Sequence, residues 1–172
     1  VKWVLTNGPA DGVTGLVRKK KISVHTYELM VYSIIHPGIV AGQDSTAPLG
    51  DAADELREML LYGDAKSATM RILIVHADWA RIKAYAAAFP DIDVIICGSI
   101  DQKFLTPVRS GGTIILSAGE FGECVGSCVL RFDRTESLIS IDNSLIKCSD
   151  AITPDETIQT AVRKLTMRLD LH

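Results

Sequence analysis

Hydrophobic residues follow two periods along this chain, and the change of period marks its elements. The segments 71–75 and 94–97 are short, almost wholly apolar runs, typical of strands that are buried on both faces. Between them, apolar residues recur every three or four positions from Trp79 to Phe89, which predicts a helix over 78–89. This order of strand, helix and strand predicts a parallel pair with a right-handed crossover.

The upstream part of the chain predicts two more strands and a helix. The runs 22–27 and 30–35 are rich in β-branched and aromatic residues, and the second is so apolar that we expect it in the centre of a sheet. Apolar residues at helical spacing, with acidic residues early in the segment, predict a helix over 51–62 that stops at Gly63.

The downstream part shows β-type patterns separated by short polar turns. Strands are predicted over 113–117, 124–132 and 138–147, and we expect them to form an antiparallel meander. Thr153 as N-cap, followed by Pro and Glu, then predicts a helix that runs to Leu169.

These elements together predict an α/β fold with a parallel βαβ unit, an antiparallel meander and flanking helices. We expect one domain over 1–152 and a C-terminal helix over 153–172.

Composition and charge exclude some classes of function. The 172 residues are 47% hydrophobic, enough for one well-packed core. A formal charge of −3 supplies no basic field for nucleic acid, and we interpret the basic run 18–21 as a solvated hairpin end. No apolar run reaches the roughly 18 to 20 residues that span a bilayer, so no membrane span is expected. The first residue is Val1 rather than Met, which suggests a processed product.

The cysteines form neither a CxxC pair nor a haem-attachment motif. We interpret them mainly as small buried hydrophobes, with a disulfide that involves Cys148, or a metal site, as alternatives. Their redox state stays open on sequence grounds. The four are Cys97, Cys124, Cys128 and Cys148.

Polar side chains follow both strands of the predicted parallel pair. His76 comes directly after the first strand, and Gly98 and Asp101 follow the second. Because the carboxyl ends of parallel strands share one edge of a sheet, we expect His76 and Asp101 to lie close together there. A histidine in such a position is either a hydrogen-bonded structural residue or a metal ligand.

Five short motifs in this region occur in a characteristic order. They resemble the second half of the catalytic domain of calcineurin-like metallophosphoesterases, in particular of the 5'-nucleotidase branch. The resemblance is good over 71–147, and a weaker one extends back to 4–7. The motifs are Val75-His76, Phe89-Pro-Asp-Ile-Asp-Val-Ile-Ile96, Gly98-Ser-Ile-Asp101, Ala118-Gly-Glu-Phe-Gly122 and Arg131-Phe-Asp133.

The resemblance implies a β-sandwich-like metallophosphoesterase half-domain with an altered metal site. His76 matches the isolated histidine of the family, which would bind the second metal. Ser99 and Asp101 stand where the family has the two histidines of Gly-His-x-His, and serine is a poor ligand for transition metals. In the family, the Asp-x-His, Gly-Asp and Asn-His-Glu motifs precede the segment that 4–7 resembles, and this sequence has no room for them there. His76 and Asp101 are therefore expected to be vestigial metal ligands.

The function expected from this resemblance is a non-catalytic module that has a structural or protein-binding role in a larger assembly. The alternative is a hydrolase of phosphoesters or nucleotides, dependent on Mn, Zn or Ca, whose missing ligands lie on another chain or on a removed N-terminal segment. A third possibility is a single-metal or nucleotide sensor that uses His76 and Asp101. No cofactor is expected in the first case.

The resemblance also favours a periplasmic or extracellular location. The expected partner is another protein chain or a second copy, because 30–35 and the inner face of 124–132 are predicted to lack cover.

Overall fold

The structure of the protein is a computed structural model that describes residues 3–8, 14–40, 49–61, 65–135, 137–149 and 151–169. Among the described residues, four strands come first, helices and strands are then mixed up to residue 97, and strands dominate the rest until a last helix. In chain order, the elements are β1 (Trp3–Val4), β2 (Leu16–Val17), β3 (Lys20–Val24), β4 (Tyr27–Ile35), α1 (Pro37–Val40), α2 (Ala52–Leu61), β5 (Met70–His76), α3 (Trp79–Ala88), β6 (Val94–Cys97), β7 (Val108–Ser110), β8 (Thr113–Ser117), β9 (Cys124–Phe132), β10 (Leu138–Lys147) and α4 (Glu156–Leu169).

A six-stranded mixed sheet organises the molecule, in the order β3-β4-β5-β6-β8-β7. Its four central strands are parallel, and its two edge strands are antiparallel to their neighbours. The predicted crossover between β5 and β6 through α3 is confirmed, as is the central position of β4. The carboxyl ends of β4, β5, β6 and β8 consequently lie along one edge of this sheet.

The helices α2 and α3 cover one face of the sheet. Met30, Tyr32 and Ile34 alternate along β4 and are fully buried, in the same cluster as Leu56 of α2 and Ile82 of α3. The expectation that 30–35 lacks cover is therefore wrong. The helix predicted over 51–62 supplies the cover, and its predicted stop at Gly63 lies outside the described residues.

A hairpin of β9 and β10 forms a second, two-stranded layer on the opposite face. Its inward residues pack against Met70, Val94 and Ile114 of the main sheet, so the inner face of 124–132 is also covered in part. The rings of Tyr27 and Phe132 stack with centroids 4.9 Å apart and join the two layers at one end.

The predicted meander is limited to β9 and β10. Strand β8 does not pair with β9; it joins the main sheet beside β6, in parallel. All five residues of β8 are buried, as is typical of a strand with layers on both of its faces. Strand β7 was not predicted, and it pairs with β8 through a turn at Gly111, whose φ is +59°.

Residues 3–8 and strand β2 form a separate unit, the N-terminal bracket, that packs against the sheet. Strands β1 and β2 pair in parallel. The buried side chain of Asn7 donates to the carbonyl oxygens of Ile35 (2.7 Å) and Gly50 (3.3 Å) and accepts from the Ile35 amide at 3.1 Å. Asn7 therefore ties this bracket to the carboxyl end of β4.

The basic run 18–21 is only partly the solvated hairpin end that was expected. Lys20 and Lys21 are exposed on β3, but Arg18 is partly buried. Arg18 forms an ion pair with Glu55 of α2, and its Nε donates to the carbonyl oxygen of Thr6. The charge of Arg18 thus contributes to an ion pair within the fold and not to a solvated basic surface.

Helix α4 begins later than predicted and lies away from the rest of the chain. Asp155 rather than Thr153 caps it, since the Asp155 carboxylate accepts from the amide of Ile158 at 3.0 Å. Every side chain of α4 for which burial is described is exposed, up to Met167. Among the described residues, no helix is both long and apolar enough to span a membrane.

All four cysteines are free thiols. Cys97 is buried, Cys124 and Cys128 are half-buried and Cys148 is exposed, so the expected burial holds fully for Cys97 alone of the four. The alternative of a disulfide that involves Cys148 is not found.

Candidate functional site

The carboxyl edge of the parallel strands brings the predicted polar loops together. Ile35 pairs with His76, and Val75 pairs with Cys97. The amide of Gly98 donates to the carbonyl oxygen of Val75 at 3.1 Å, so the loop after β6 folds back beside the end of β5. The loops that carry His76 and Asp101 therefore meet at one edge, as predicted. The two side chains line separate clefts, and a ligand position shared between them stays a prediction.

Ser99 connects the two loops. Its hydroxyl donates to the carbonyl oxygen of Ala77 at 2.7 Å and accepts from the Ala77 amide at 2.8 Å. Ala77 is fully buried, so these backbone groups have little access to water. The Ser99 hydroxyl thus satisfies both polar groups of one buried peptide segment and is directed at the backbone rather than at a ligand.

His76 lies at the rim of an open cleft of about 380 Å³, which it lines with Gly98, Ser99, Glu120 and Phe121. Its imidazole is exposed, and it follows Ile72 and Ile74 on the hairpin side of the sheet. This position allows the imidazole to meet a ligand or a partner from solvent.

Asp101 lies in a different, smaller cleft of about 170 Å³. The other lining residues are Lys103, Glu120, Phe121 and Glu123. Lys103 and Glu123 form an ion pair across this cleft. The hydrogen bond and charge of Lys103 hold the pKa of Glu123 below its ordinary value. Glu123 is therefore an anion engaged with its own lysine.

The loop 118–123 separates the clefts of His76 and Asp101, and Glu120 and Phe121 line both. Phe121 is 94% exposed and has a φ of +57°, a left-handed conformation that bulky residues seldom adopt. Phe121 lies in one of the five motifs but was not predicted as a site residue. The sequence feature that could have indicated it is an aromatic residue between glycines in a polar loop.

Asp78, two residues after His76, is a helix cap. Its carboxylate accepts from the amide of Arg81 at 2.9 Å and forms an ion pair with the Arg81 guanidinium. These contacts with Arg81, the backbone hydrogen bond first, lower the pKa of Asp78. Asp78 is therefore the N-cap of α3.

The donor set at this edge is incomplete for a divalent metal. The cleft of His76 offers the imidazole of His76 and the carboxylate of Glu120. The hydroxyl of Ser99 in the same cleft is already hydrogen-bonded to Ala77. The cleft of Asp101 adds a carboxylate but also the cation of Lys103. Catalytic zinc sites use three protein ligands, and the part of the chain that the structure describes contains no group of three candidate metal ligands.

Solved structures identify the fold. The chain matches sulfate thiohydrolase SoxB from Thermus thermophilus with a TM-score of 0.77 and 17% identity, over 97% of this chain and 32% of that one. It matches a 5'-nucleotidase precursor, also from Thermus thermophilus, with a TM-score of 0.70 and 14% identity, over 99% and 38% of the two chains.

This chain has a 5'-nucleotidase-like fold. The NAD nucleotidase of Haemophilus influenzae shares it, with a TM-score of 0.61 and 13% identity over 91% of this chain and 39% of that one. The resemblance predicted from the five motifs is thus confirmed at the level of fold. No protein-family model matches the sequence, and no curated protein matches it.

The likeness covers nearly all of this chain but only part of its neighbours. The chain spans about a third of the length of the first matched structures, between 32% and 38%. In this 5'-nucleotidase-like fold, the edge that carries His76 and Ser99 is the carboxyl edge of the parallel strands, where ligands of open α/β sheets bind.

Proposed function

We propose that this chain is a non-catalytic module with a 5'-nucleotidase-like fold that has a structural or protein-binding role in a larger assembly. The observation that carries the proposal is the pair of hydrogen bonds between the Ser99 hydroxyl and the backbone of Ala77. Where the sequence motif has a histidine in the resembled family, this chain has a serine that stabilises the two loops. His76 and Asp101 are then remnants of a metal site.

Chemistry supports this interpretation. Two-metal hydrolysis requires ions about 3.5–4 Å apart that hold the attacking and leaving oxygens. His76 and Asp101 line separate clefts, and the carboxylate of Glu120 is the acceptor group common to both. Such a set offers a weak site for one cation and no clamp for two.

The binding role is supported by apolar surface on the sheet. Ile74 and Ile96 pair in register on the hairpin side and are 39% and 38% exposed, so the hairpin leaves them only partly covered. Beside Ile96, a cleft of about 370 Å³ opens between the sheet and the hairpin. A polypeptide from another chain or from a longer precursor would cover this surface in the assembly.

The proposal includes the organisation and location of the chain. Residues 1–152 would act as one unit and 153–172 as a separate helical segment, in keeping with the exposure of α4. A location outside the cytoplasm is supported by the name of one similar structure, a 5'-nucleotidase precursor. Fractionation of the source cells, with the chain found only in the cytoplasm, would contradict this location.

A hydrolysis assay tests the proposal. We expect the purified chain not to hydrolyse nucleoside monophosphates or p-nitrophenyl phosphate when Mn, Zn or Ca is added. Metal titration by calorimetry is expected to show at most weak binding of one ion, reduced in His76→Asn.

The matched control is His25→Asn, because His25 lies in the β3–β4 turn at the opposite end of the sheet and Asn tolerates its positive φ. Metal-dependent turnover that is lost in His76→Asn and kept in His25→Asn would overturn the proposal and establish the hydrolase.

A further inference from the structure

Helix α4 presents an apolar stripe that its own chain leaves in solvent. Ile158, Val162 and Leu165 follow each other at spacings of four and three and are 56–63% exposed. A helix of 14 residues is marginally stable in water without packing. The stripe therefore needs a surface against which to pack.

The outer face of the hairpin carries apolar side chains over a similar length, with Ser127, Ser144 and the Arg131–Asp142 ion pair beside them. Val125 and Ile146 are cross-strand partners, and Val129 lies on the same side of β9. These three side chains are 48–55% exposed. An isolated two-stranded sheet is marginally stable in water, and in the described part of the chain this one packs through its inner face.

We propose that two copies of this chain exchange their α4 helices, so that each helix packs on the outer face of the other copy's hairpin. The stripe of Ile158, Val162 and Leu165 then covers Val125, Val129 and Ile146 of the partner copy. This interface deepens the protein-binding role proposed above, on which it rests, and names the partner as a second copy.

The dimensions of the two surfaces agree. Ile158 and Leu165 are seven residues apart, which is about 10 Å along a helix. Val125 and Val129 are four residues apart, which is about 13 Å along a strand. One helix laid along the hairpin consequently spans most of the distance between Val125 and Val129, with Ser127 between them.

The available area suits a stable dimer. At half to two-thirds exposure, each of these six aliphatic side chains offers roughly 100 Å² for burial, or about 600 Å² per copy. A standard interface takes about 800 Å² from each partner, and neighbouring polar atoms add to the apolar sum. A single helix docked without exchange would bury only half of this area.

The position of α4 favours a second copy over the chain's own hairpin. All of its side chains with described burial are exposed, so the helix is not folded back on β9 and β10. The connection over 148–155 contains a turn in which the amide of Ile152 donates to the carbonyl oxygen of Ser149. Exchange about a twofold axis buries both helices and leaves neither a helix nor a hairpin face of the pair free to continue into a filament.

Sedimentation velocity on the full chain tests the exchange. We expect a dimer at micromolar concentration, and we expect Leu165→Asp and Val125→Asp each to weaken it at least about 100-fold, because each variant places a charge in both copies of the interface. Both sites are exposed in the single chain, so both variants should keep the wild-type circular dichroism spectrum. The matched controls, Met167→Asp on the opposite side of α4 and Val24→Asp on β3, should remain dimeric.

Mixing the two variants separates exchange from helix–helix pairing. In an equimolar mixture, the Val125→Asp chain supplies an intact helix and the Leu165→Asp chain an intact hairpin. The mixture should therefore form heterodimers under conditions in which each variant alone is monomeric. A dimer that Leu165→Asp disrupts and Val125→Asp leaves intact would show helix pairing and overturn the proposal, as would a monomeric wild type. Turnover in the hydrolysis assay would contradict the non-catalytic function without affecting this result.

Discussion

The hydroxyl of Ser99 and the backbone of Ala77 form a reciprocal pair of hydrogen bonds, one donated at 2.7 Å and one accepted at 2.8 Å. This pair joins the loop after β5 to the loop after β6 at the carboxyl edge of the parallel strands. A position that looks like a lost ligand in the sequence is therefore a structural link in the fold.

Removing this link should destabilise the protein. Ser99→Ala leaves the amide and carbonyl of the buried Ala77 without their partner, and a buried unsatisfied polar group costs about 1–3 kcal/mol. We expect the free energy of unfolding to fall by that amount in urea titrations. The control is Ser23→Ala on the exposed strand β3. Equal midpoints for the two variants would show that the Ser99 bonds contribute nothing.

Asn7 should make a similar contribution to stability by holding the N-terminal bracket to the sheet. Asn7→Ala removes three hydrogen bonds to Ile35 and Gly50 at a fully buried position, and we expect a loss of about 2–3 kcal/mol in thermal or urea unfolding. Asn7→Asp should lose a similar amount, because a carboxylate accepts from the Ile35 amide but cannot donate. The exposed Gln102→Ala serves as control, and an Asn7→Asp variant as stable as wild type would contradict the assigned contacts.

Asp93 should make stability depend on pH. Burial raises its pKa, against the opposing hydrogen bond from the amide of Arg71 at 2.7 Å. A carboxyl group whose pKa is raised on folding stabilises the protein below its unfolded pKa, about 3.9, and this contribution is lost as the pH rises through the folded pKa.

We therefore expect Asp93→Asn to match wild type near pH 3 and to become the more stable protein above the folded pKa of Asp93. The gain should stay below about 1 kcal/mol, because the side chain is 39% exposed and solvent screens its charge. The exposed Glu58→Gln is the control for surface charge. A wild type that gains stability relative to Asp93→Asn between pH 3 and 6 would reverse the assigned shift.

The cysteines should differ in reactivity. Burial raises the pKa of Cys97 to about 12, so its reactive thiolate is scarce at pH 8, whereas Cys148 is exposed. Alkylation by iodoacetamide, followed by mass spectrometry, should modify Cys148 first and Cys97 only after unfolding in urea. Modification of Cys97 in the native protein at the rate of Cys148 would contradict its position in the core.

Local patterns were sufficient for most of the elements and for part of the candidate site. The apolar run that became β6 and the helical spacing that became α3 predicted a parallel pair, and this pair places His76 and Asp101 at one edge. These predictions hold because side-chain period and crossover handedness are properties of a short stretch of chain. The predicted N-cap at Thr153 was wrong because Asp155, two residues later, is a competing N-cap and is the residue that caps the helix.

Pairing between distant segments was decided only by the tertiary structure. The apolar composition of β8 is compatible with either a meander strand or a central strand. The strand lies beside β6 because its residues are buried between two layers. The sequence likewise put Ser99 and Asp101 in one motif, but the bond of Ser99 to Ala77 and the separate cleft of Asp101 depend on how two loops meet. Composition and period determine which residues form strands and helices, whereas packing across the sheet determines what their loops can bind.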